Sequence, residues 1–400
     1  MNVGLYYPWL YLRSGGERTM AELLKRSRHD WTLITNRYEP ESTFSELKSA
    51  RIIELSTVSV NRSILNVLKA AYRIVGQRLP LQGQDAMVVF CEGLGDLVTF
   101  RNRGIPIVCV CLTPLRAAFD PHYQANYLAL KGNTLVRRTA LAVLSRAFRA
   151  IDRLAWKRYD RVFAISQEVR KRIVAGGLRQ DDNIRVIYPG IDLANLVPTG
   201  VREPNFLIPG RMMWTKNIEL GIAAFLKMVK RRPDLRSYTL TIAGFVDQKS
   251  KPYLAKLRAM AAESDRIRFV ESPSDETLFS LYRSCYAVLF TPFNEDWGLV
   301  PLEGMALEKP VIAVNRGGPR ETILDGETGF LVEPNADSFS SMMERLADSP
   351  EMAAAMGVAG RRQAAKFQWD QFCESLDDCI DEVIGARARS QVFVGKRLKA

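Results

Sequence analysis

The chain is predicted to fold as two doubly wound α/β domains in tandem, each built on a parallel sheet. Three observations carry this reading. Short apolar runs of strand length alternate with amphipathic stretches along nearly the whole sequence. The alternation restarts after a cluster of Pro189, Gly190, Pro198, Gly200 and Pro204. Glycine-bearing loops follow the apolar runs at several points, as strand-to-helix turns do.

In the first domain the spacing predicts strands over 2–7, 31–35, 50–55, 87–90, 107–111 and 161–164, with helices over 16–26 and 63–77. These strands are apolar throughout rather than alternating, as a sheet covered by helices on both faces requires. In the second domain strands are predicted over 206–209, 239–243, 267–270, 287–290, 311–314 and 329–332. Helices are predicted there over 217–230, 253–263, 274–284 and 302–307, with Pro301 opening the last of these. The stretch 338–384 reads as helical. The domains are expected over 1–190 and 191–366, followed by a helix over 367–385 that returns to the first domain and a basic tail over 386–400. Two such domains facing one another would form a central cleft walled by loops at the carboxyl ends of strands, where ligands of this architecture bind.

Composition narrows the partners. The 400 residues are 47% apolar and 25% charged, which describes a globular chain and excludes collagenous, disordered and disulfide-scaffold classes. The formal net charge of +12 lies wholly in residues 1–200, and +9 of it falls within 101–161. Arg387, Arg389, Lys396, Arg397 and Lys399 make the tail basic. The longest apolar runs are too short to span a bilayer, and the first residues lack a secretory leader's apolar core. The six cysteines lack paired spacing, and His29 and His122 are the two histidines, so buried thiols in a reducing cytoplasm are expected and no metal site.

Four loops hold the candidate chemistry. Pro209-Gly210-Arg211 through Lys216-Asn217 follows a strand and opens a helix, so its amides and the cations Arg211 and Lys216 suit a diphosphate. In Phe293–Gly304, Glu295 lies in the loop and Glu303 in the first turn of the next helix, while Gly298, Leu299 and Val300 offer backbone N–H groups. Gly317-Gly318-Pro319-Arg320-Glu321 makes a tight turn, and the loop holding Gly15 and Gly16 plays the same part after the first strand. Each loop by itself is also readable as a plain turn with solvated charges. Two carboxylates in one loop of a doubly wound sheet do not suit a glycoside hydrolase, whose pair flanks the scissile bond.

Taken together, the Glu295/Glu303 pair, the Gly210-Arg211…Lys216-Asn217 segment and the Gly-Gly-Pro-x-Glu turn resemble the retaining glycosyltransferases of family 4, the group 1 transferases of GT-B architecture. The resemblance is strong over 205–365 and weaker toward the amino terminus, where the Gly15-Gly16 loop alone matches over 1–85. It implies that the second domain binds a nucleotide-sugar, with Arg211, Lys216 and Glu295 catalytic and Gly15, Gly16, Gly210, Asn217, Gly298, Leu299, Val300 and Glu303 holding the donor. Arg211 and Lys216 would meet the diphosphate, Glu303 the ribose and Glu295 the transferred sugar. It also implies front-side transfer with retention, without a metal or other cofactor. The stretch Cys109-Val110-Cys111-Leu112-Thr113-Pro114-Leu115-Arg116 is similar to a signature of bacterial polysaccharide mannosyltransferases, so Thr113 and Arg116 are expected on the acceptor side; Leu112 stands where that signature has histidine. The expected reaction moves mannose from GDP-mannose to a lipid-linked or surface-polysaccharide acceptor, in lipopolysaccharide or exopolysaccharide assembly. The alternatives are a UDP-sugar transferase, a non-catalytic scaffold, and a phosphorylase or epimerase of the same fold.

The basic stretch is expected to be a helix over 135–158, with Leu144, Phe148, Ile151 and Ala155 facing the core and Arg146, Arg149, Arg153 and Lys157 on the other face. Those four are either a solvated side or a docking face for anionic headgroups, worth about 1 kcal/mol per basic residue near a membrane. Nucleic acid is not expected, because no reader motif or stacking platform accompanies the charge. The expected location is cytoplasmic, peripheral at the inner face of the plasma membrane.

Overall fold

A computed structural model describes residues 1–58 and 64–397, and the backbone alone for 64 and 390–397. Lys399 of the expected basic tail lies outside the described residues. The chain forms two compact units, one of residues 1–189 with 369–400 and the other of residues 190–368.

The first unit runs β1 (Asn2–Tyr6), α1 (Gly15–Arg26), β2 (Asp30–Thr35), β3 (Arg51–Glu54), α2 (Ile64–Gly76), β4 (Ala86–Glu92), β5 (Ile107–Thr113), α3 (Arg116–Phe119), α4 (Pro121–Lys131), α5 (Leu135–Trp156), β6 (Arg161–Ala164), α6 (Gln167–Ala175) and β7 (Arg185–Val186). The second runs β8 (Asn205–Pro209), α7 (Ile218–Arg231), β9 (Thr239–Gly244), α8 (Lys251–Ala261), β10 (Ile267–Glu271), α9 (Asp275–Ser284), β11 (Ala287–Phe290), α10 (Leu299–Ala306), β12 (Val311–Val314), α11 (Pro319–Thr322), β13 (Gly329–Val332), α12 (Ala336–Asp348) and α13 (Pro350–Ala364). α14 (Trp369–Arg397) packs on α1 of the first unit and continues through most of the stretch read as a tail. Arg28 ties the two ends of that unit together through ion pairs to Asp378 and Asp381 at 2.8 and 2.6 Å.

Both sheets are parallel and doubly wound. The seven-stranded sheet has order β3-β2-β1-β4-β5-β6-β7 and the six-stranded one β10-β9-β8-β11-β12-β13. The winding therefore reverses between β1 and β4, and again between β8 and β11, and such switch points open a crevice at the carboxyl ends of the strands. Phe206, Ile208, Ile222 and Phe225 are buried where α7 covers β8. Gly221 permits that packing, since a Cβ there would stand 2.3 Å from Ile208 Cδ1.

Two expectations are corrected. α10 begins at Leu299, so Pro301 is its third residue and Glu303 its fifth, in the second turn rather than the first. The helix α5 exists, but its buried line runs through Ser145, Asp152, Ala155 and Trp156, so Leu144 and Ile151 face outward. Sequence periodicity gave the helix its period but assigned the wrong phase. Small and polar residues share the buried line with Trp156 because it covers the short helical turn Gly95–Phe100 and a polar pocket, not an open apolar sheet.

In that pocket Cys91 Sγ donates to Asp96 at 2.8 Å and the Tyr159 hydroxyl donates to its other oxygen. Asp152 is fully buried, and neither of its carboxyl oxygens has a hydrogen-bond partner among the described residues. Burial, and then the nearby Asp96, pushes the Asp152 carboxyl well above its usual range. The folded state thus holds a proton that the unfolded chain releases near pH 4, so stability falls as pH rises from there toward neutrality. Asp152→Asn removes that loss. Its unfolding free energy in urea should match the parent's near pH 4 and exceed it at pH 7, by about 1.4 kcal/mol for each pH unit over which only the folded state holds the proton. Equal midpoints at pH 7 would contradict a buried neutral acid here.

Candidate active site

The crevice between β8 and β11 gathers most of the second unit's predicted residues. After β8, Gly210 takes φ +128° with open space where a side chain would be. Its amide donates to Ala243 O at 2.9 Å, and a Cβ on Gly244 would collide with Gly210 O at 1.7 Å. The backbones of β8 and β9 therefore touch at their ends. A short turn, Trp214–Lys216, then leads to Asn217 in the left-handed conformation at φ 49°, where it starts α7.

Lys216 Nζ donates to Glu295 Oε2 at 2.7 Å, and both side chains are 23% exposed. An ammonium carries three donors, so Lys216 can hold Glu295 and still meet a phosphate oxygen. Arg211 lines the same pocket as Lys216; its carbonyl accepts from Met213 N at 2.9 Å, while its guanidinium makes no hydrogen bond or ion pair among the described residues. Thr291 Oγ1 donates to Lys216 O at 2.8 Å and Phe293 N to Thr215 O at 3.3 Å, joining the loop after β8 to the loop after β11.

Glu295 is fixed from the other side by the turn after β12. Gly318 N donates to Glu295 O at 2.9 Å, and Glu295 and Gly317 form a parallel bridge. A Cβ on Gly317 would lie 2.1 Å from Glu295 O, and one on Gly318 would lie 2.1 Å from Trp297 O. The adjacent glycines are thus the surface on which the Glu295 loop rests. Gly298, at φ +96°, ends that loop and caps α10, so the amides of Leu299 and Val300 belong to the half-buried first turn of a helix.

Glu303 sits deeper on α10. Tyr282, fully buried on α9, donates to Glu303 Oε2 at 2.7 Å. Burial and then the Glu303 charge hold the Tyr282 phenol protonated, well above its usual range. Tyr282 reads from the sequence as an ordinary core aromatic; nothing in the helical pattern marks it as the residue that orients Glu303.

In the first unit Gly15 and Gly16 open α1, where the Ser14 hydroxyl donates to Glu17. A Cβ on Gly16 would stand 3.0 Å from Leu112 Cδ1 and 3.3 Å from the Tyr7 hydroxyl. Tyr7 donates in turn to Glu92 Oε2 at 2.6 Å. Leu112 therefore presents a methyl group at the β1/β4 switch point, beside a tyrosine and a carboxylate. Thr113 and Arg116 are held within the unit. Arg172 donates to Thr113 Oγ1 at 2.8 Å, and Arg116 grips Asp120 Oδ2 at 2.8 Å. Burial raises Asp120, but Arg116 and Arg172 outweigh it and leave the carboxyl below its usual range. Of the basic residues on α5, Arg149 donates to Ala118 O at 2.7 Å and Arg153 to Gly176 O at 2.9 Å. Arg146 and Lys157 are exposed.

Comparison with known proteins places this geometry. The family model "Glycosyltransferase Family 4" matches residues 14–195 and "Glycosyl transferases group 1" matches residues 198–363. The chain is 35% identical over 222 residues to the mouse alpha-1,3/1,6-mannosyltransferase ALG2, covering 50% of this chain and 53% of that protein. It is 28% identical over 247 residues to a D-inositol 3-phosphate glycosyltransferase of Streptomyces avermitilis, covering 58% and 53%. The chain thus spans about half the length of the curated relatives it matches. Among solved structures, sucrose-phosphate synthase of Thermosynechococcus elongatus superposes with a TM-score of 0.74 at 18% identity, over 96% of this chain and 100% of that one. Anabaena HepE in complex with UDP and glucose superposes with a TM-score of 0.72 at 17% identity, over 96% and 100%. These likenesses show the GT-B fold. With both units matched in tandem and the fold shared, the chain belongs to the group 1, family 4 glycosyltransferases.

Proposed function

We propose that this chain is a retaining hexosyltransferase that moves mannose from GDP-mannose to a lipid-linked glycan at a cytoplasmic membrane face. The observation that carries the reading is the crevice at the β8/β11 switch point, where Arg211, Lys216, Glu295 and the first turn of α10 converge. Arg211 and Lys216 stabilise the departing diphosphate, whose charge grows as the glycosidic bond breaks. Glu295 accepts from hydroxyls of the sugar, and its pairing with Lys216 keeps sugar and diphosphate in register. Glu303, oriented by Tyr282, accepts from the ribose. The departing phosphate takes the acceptor proton, so no enzymic nucleophile, metal or other cofactor is assigned.

Mannose is favoured because the similar mouse protein is named a mannosyltransferase. Among the described residues no helix is long and apolar enough to cross a membrane. A donor screen tests the reading. GDP and GDP-mannose should raise the melting temperature, UDP and UDP-sugars should not, and Glu303→Ala should abolish the shift. Stabilisation by UDP-sugars alone would replace GDP-mannose as donor. No shift with any nucleotide, and no nucleoside diphosphate released, would support a scaffold of this fold instead.

A further inference from the structure

The turn end of the α4–α5 hairpin stands clear of the rest of its unit. No residue of α4 is buried, and residues 131–140, which include the turn and the start of α5, are exposed on every side. A helix end lacking tertiary cover should be polar all round. This one carries Leu130, Leu135 and Val136, the last two 76% and 79% exposed, followed by the outward-facing Val143, Ile151 and Leu154. The turn is ordered by a cap, Thr134 accepting from Arg137 N. Exposed apolar groups on a capped helix are therefore presented, and not simply left over from loose structure.

Charge selects what covers them. Arg137, Arg138, Arg146 and Lys157 lie on the exposed part of the hairpin, while Asp152, the one acid on α5, is buried. On α5, seen along its axis at 100° per residue, Leu144 and Ile151 fall on one flank, Val136 and Leu154 at the outer pole, and Arg146 and Lys157 on the opposite flank. An apolar edge beside an unopposed basic edge is the arrangement of a helix lying in a membrane interface. A protein partner would have to be both apolar and acidic at this spacing, whereas an anionic bilayer offers both chemistries over any area.

We infer that the α4–α5 hairpin docks this chain on an anionic lipid bilayer, with Val136, Val143 and Leu154 entering the interface and Arg146 and Lys157 meeting the headgroups. The inference deepens the reading of a lipid-linked acceptor. Arg149 and Arg153 are not part of the contact, because backbone carbonyls of their own unit already occupy them. α2 offers a smaller surface of the same kind in Leu65, Leu68 and Tyr72, and it packs on the same short turn, Gly95–Phe100, as α5 does.

The test sediments the full chain with vesicles of phosphatidylcholine alone and of phosphatidylcholine mixed with phosphatidylglycerol. The parent should bind the mixed vesicles and release as salt rises. Val136→Gln with Val143→Gln should weaken that binding about tenfold at any salt. Arg146→Gln with Lys157→Gln should remove the preference for anionic lipid. Neither pair should change unfolding, since all four side chains are exposed. Nor should either change release of nucleoside diphosphate to a soluble acceptor, so loss of docking is distinguishable from failure of the transfer reading. Parent-like binding by the hairpin variants, with loss on changing Leu65 and Leu68, would overturn the assignment to this hairpin. A concentration-dependent dimer abolished by Val136→Gln, or competition by duplex DNA without a vesicle preference, would overturn the bilayer as occupant.

Discussion

Replacing Lys216 with alanine is expected to lower kcat for sugar transfer by about 10²–10³-fold, the usual effect of removing one preorganised donor from a site of developing charge. Two losses combine. The diphosphate loses a cation as negative charge builds on it, and Glu295 loses the 2.7 Å contact that holds its carboxylate. Stability should hardly move, because a pair whose side chains are 23% exposed contributes about 1 kcal/mol or less. Lys216→Ala should therefore melt within a few degrees of the parent while losing nearly all activity. Glu295→Gln keeps the shape and removes the charge. If the pair acts as one device, the double variant should be little worse than the poorer single one. Activity of Lys216→Ala within about threefold of the parent would remove Lys216 from the reaction.

The architecture was legible because parallel strands covered on both faces are apolar end to end. Ala287–Phe290 and Val311–Val314 are short runs of this kind, bounded by polar loops, and each stands in the sheet over those residues. β7 carried no such signal: its two residues are a paired edge, Arg185 against Phe163 and Val186 against Ala164. The phase of α5 was misread for a physical reason. Apolar spacing locates the apolar side of a helix and assumes that this side is buried, and here the buried side is Ser145, Asp152, Ala155 and Trp156. At the site, Gly210 was legible as part of a strand-to-helix loop and Gly298 as a source of backbone N–H, and both adopt positive φ. That Glu295 rests on the Gly317–Gly318 turn was not legible, because contacts between loops that follow different strands leave no local periodicity. The same holds for Tyr282 beneath Glu303, which is 21 residues away in the chain.

Gly318→Ala is expected to be among the most damaging single substitutions in this chain, and the cause is contact rather than conformation. Gly318 has ordinary helical angles, φ −55° and ψ −35°, which alanine adopts freely. Its Cβ, however, would sit 2.1 Å from Trp297 O and 2.5 Å from Trp297 Cα, both backbone atoms that no rotamer change can move aside. Trp297 is itself buried against Phe367, with ring centroids 5.2 Å apart, so the loop cannot retreat without breaking that packing. The second unit should lose more than about 3 kcal/mol, in the range reserved for overpacking and broken buried contacts. Molecules that remain folded should also transfer sugar poorly, since a displacement of about 1 Å at Glu295 costs on the order of 10²-fold. Gly15→Ala supplies the contrast: it opens α1 with nothing within 4 Å of the added Cβ, so folding stability should stay level or rise by a few tenths of a kcal/mol. Urea unfolding of the two variants separates the explanations. If Gly318→Ala unfolds with the parent's midpoint, the Gly-Gly turn is not the seat of the Glu295 loop and the rigidity assigned to the β8/β11 crevice has another source.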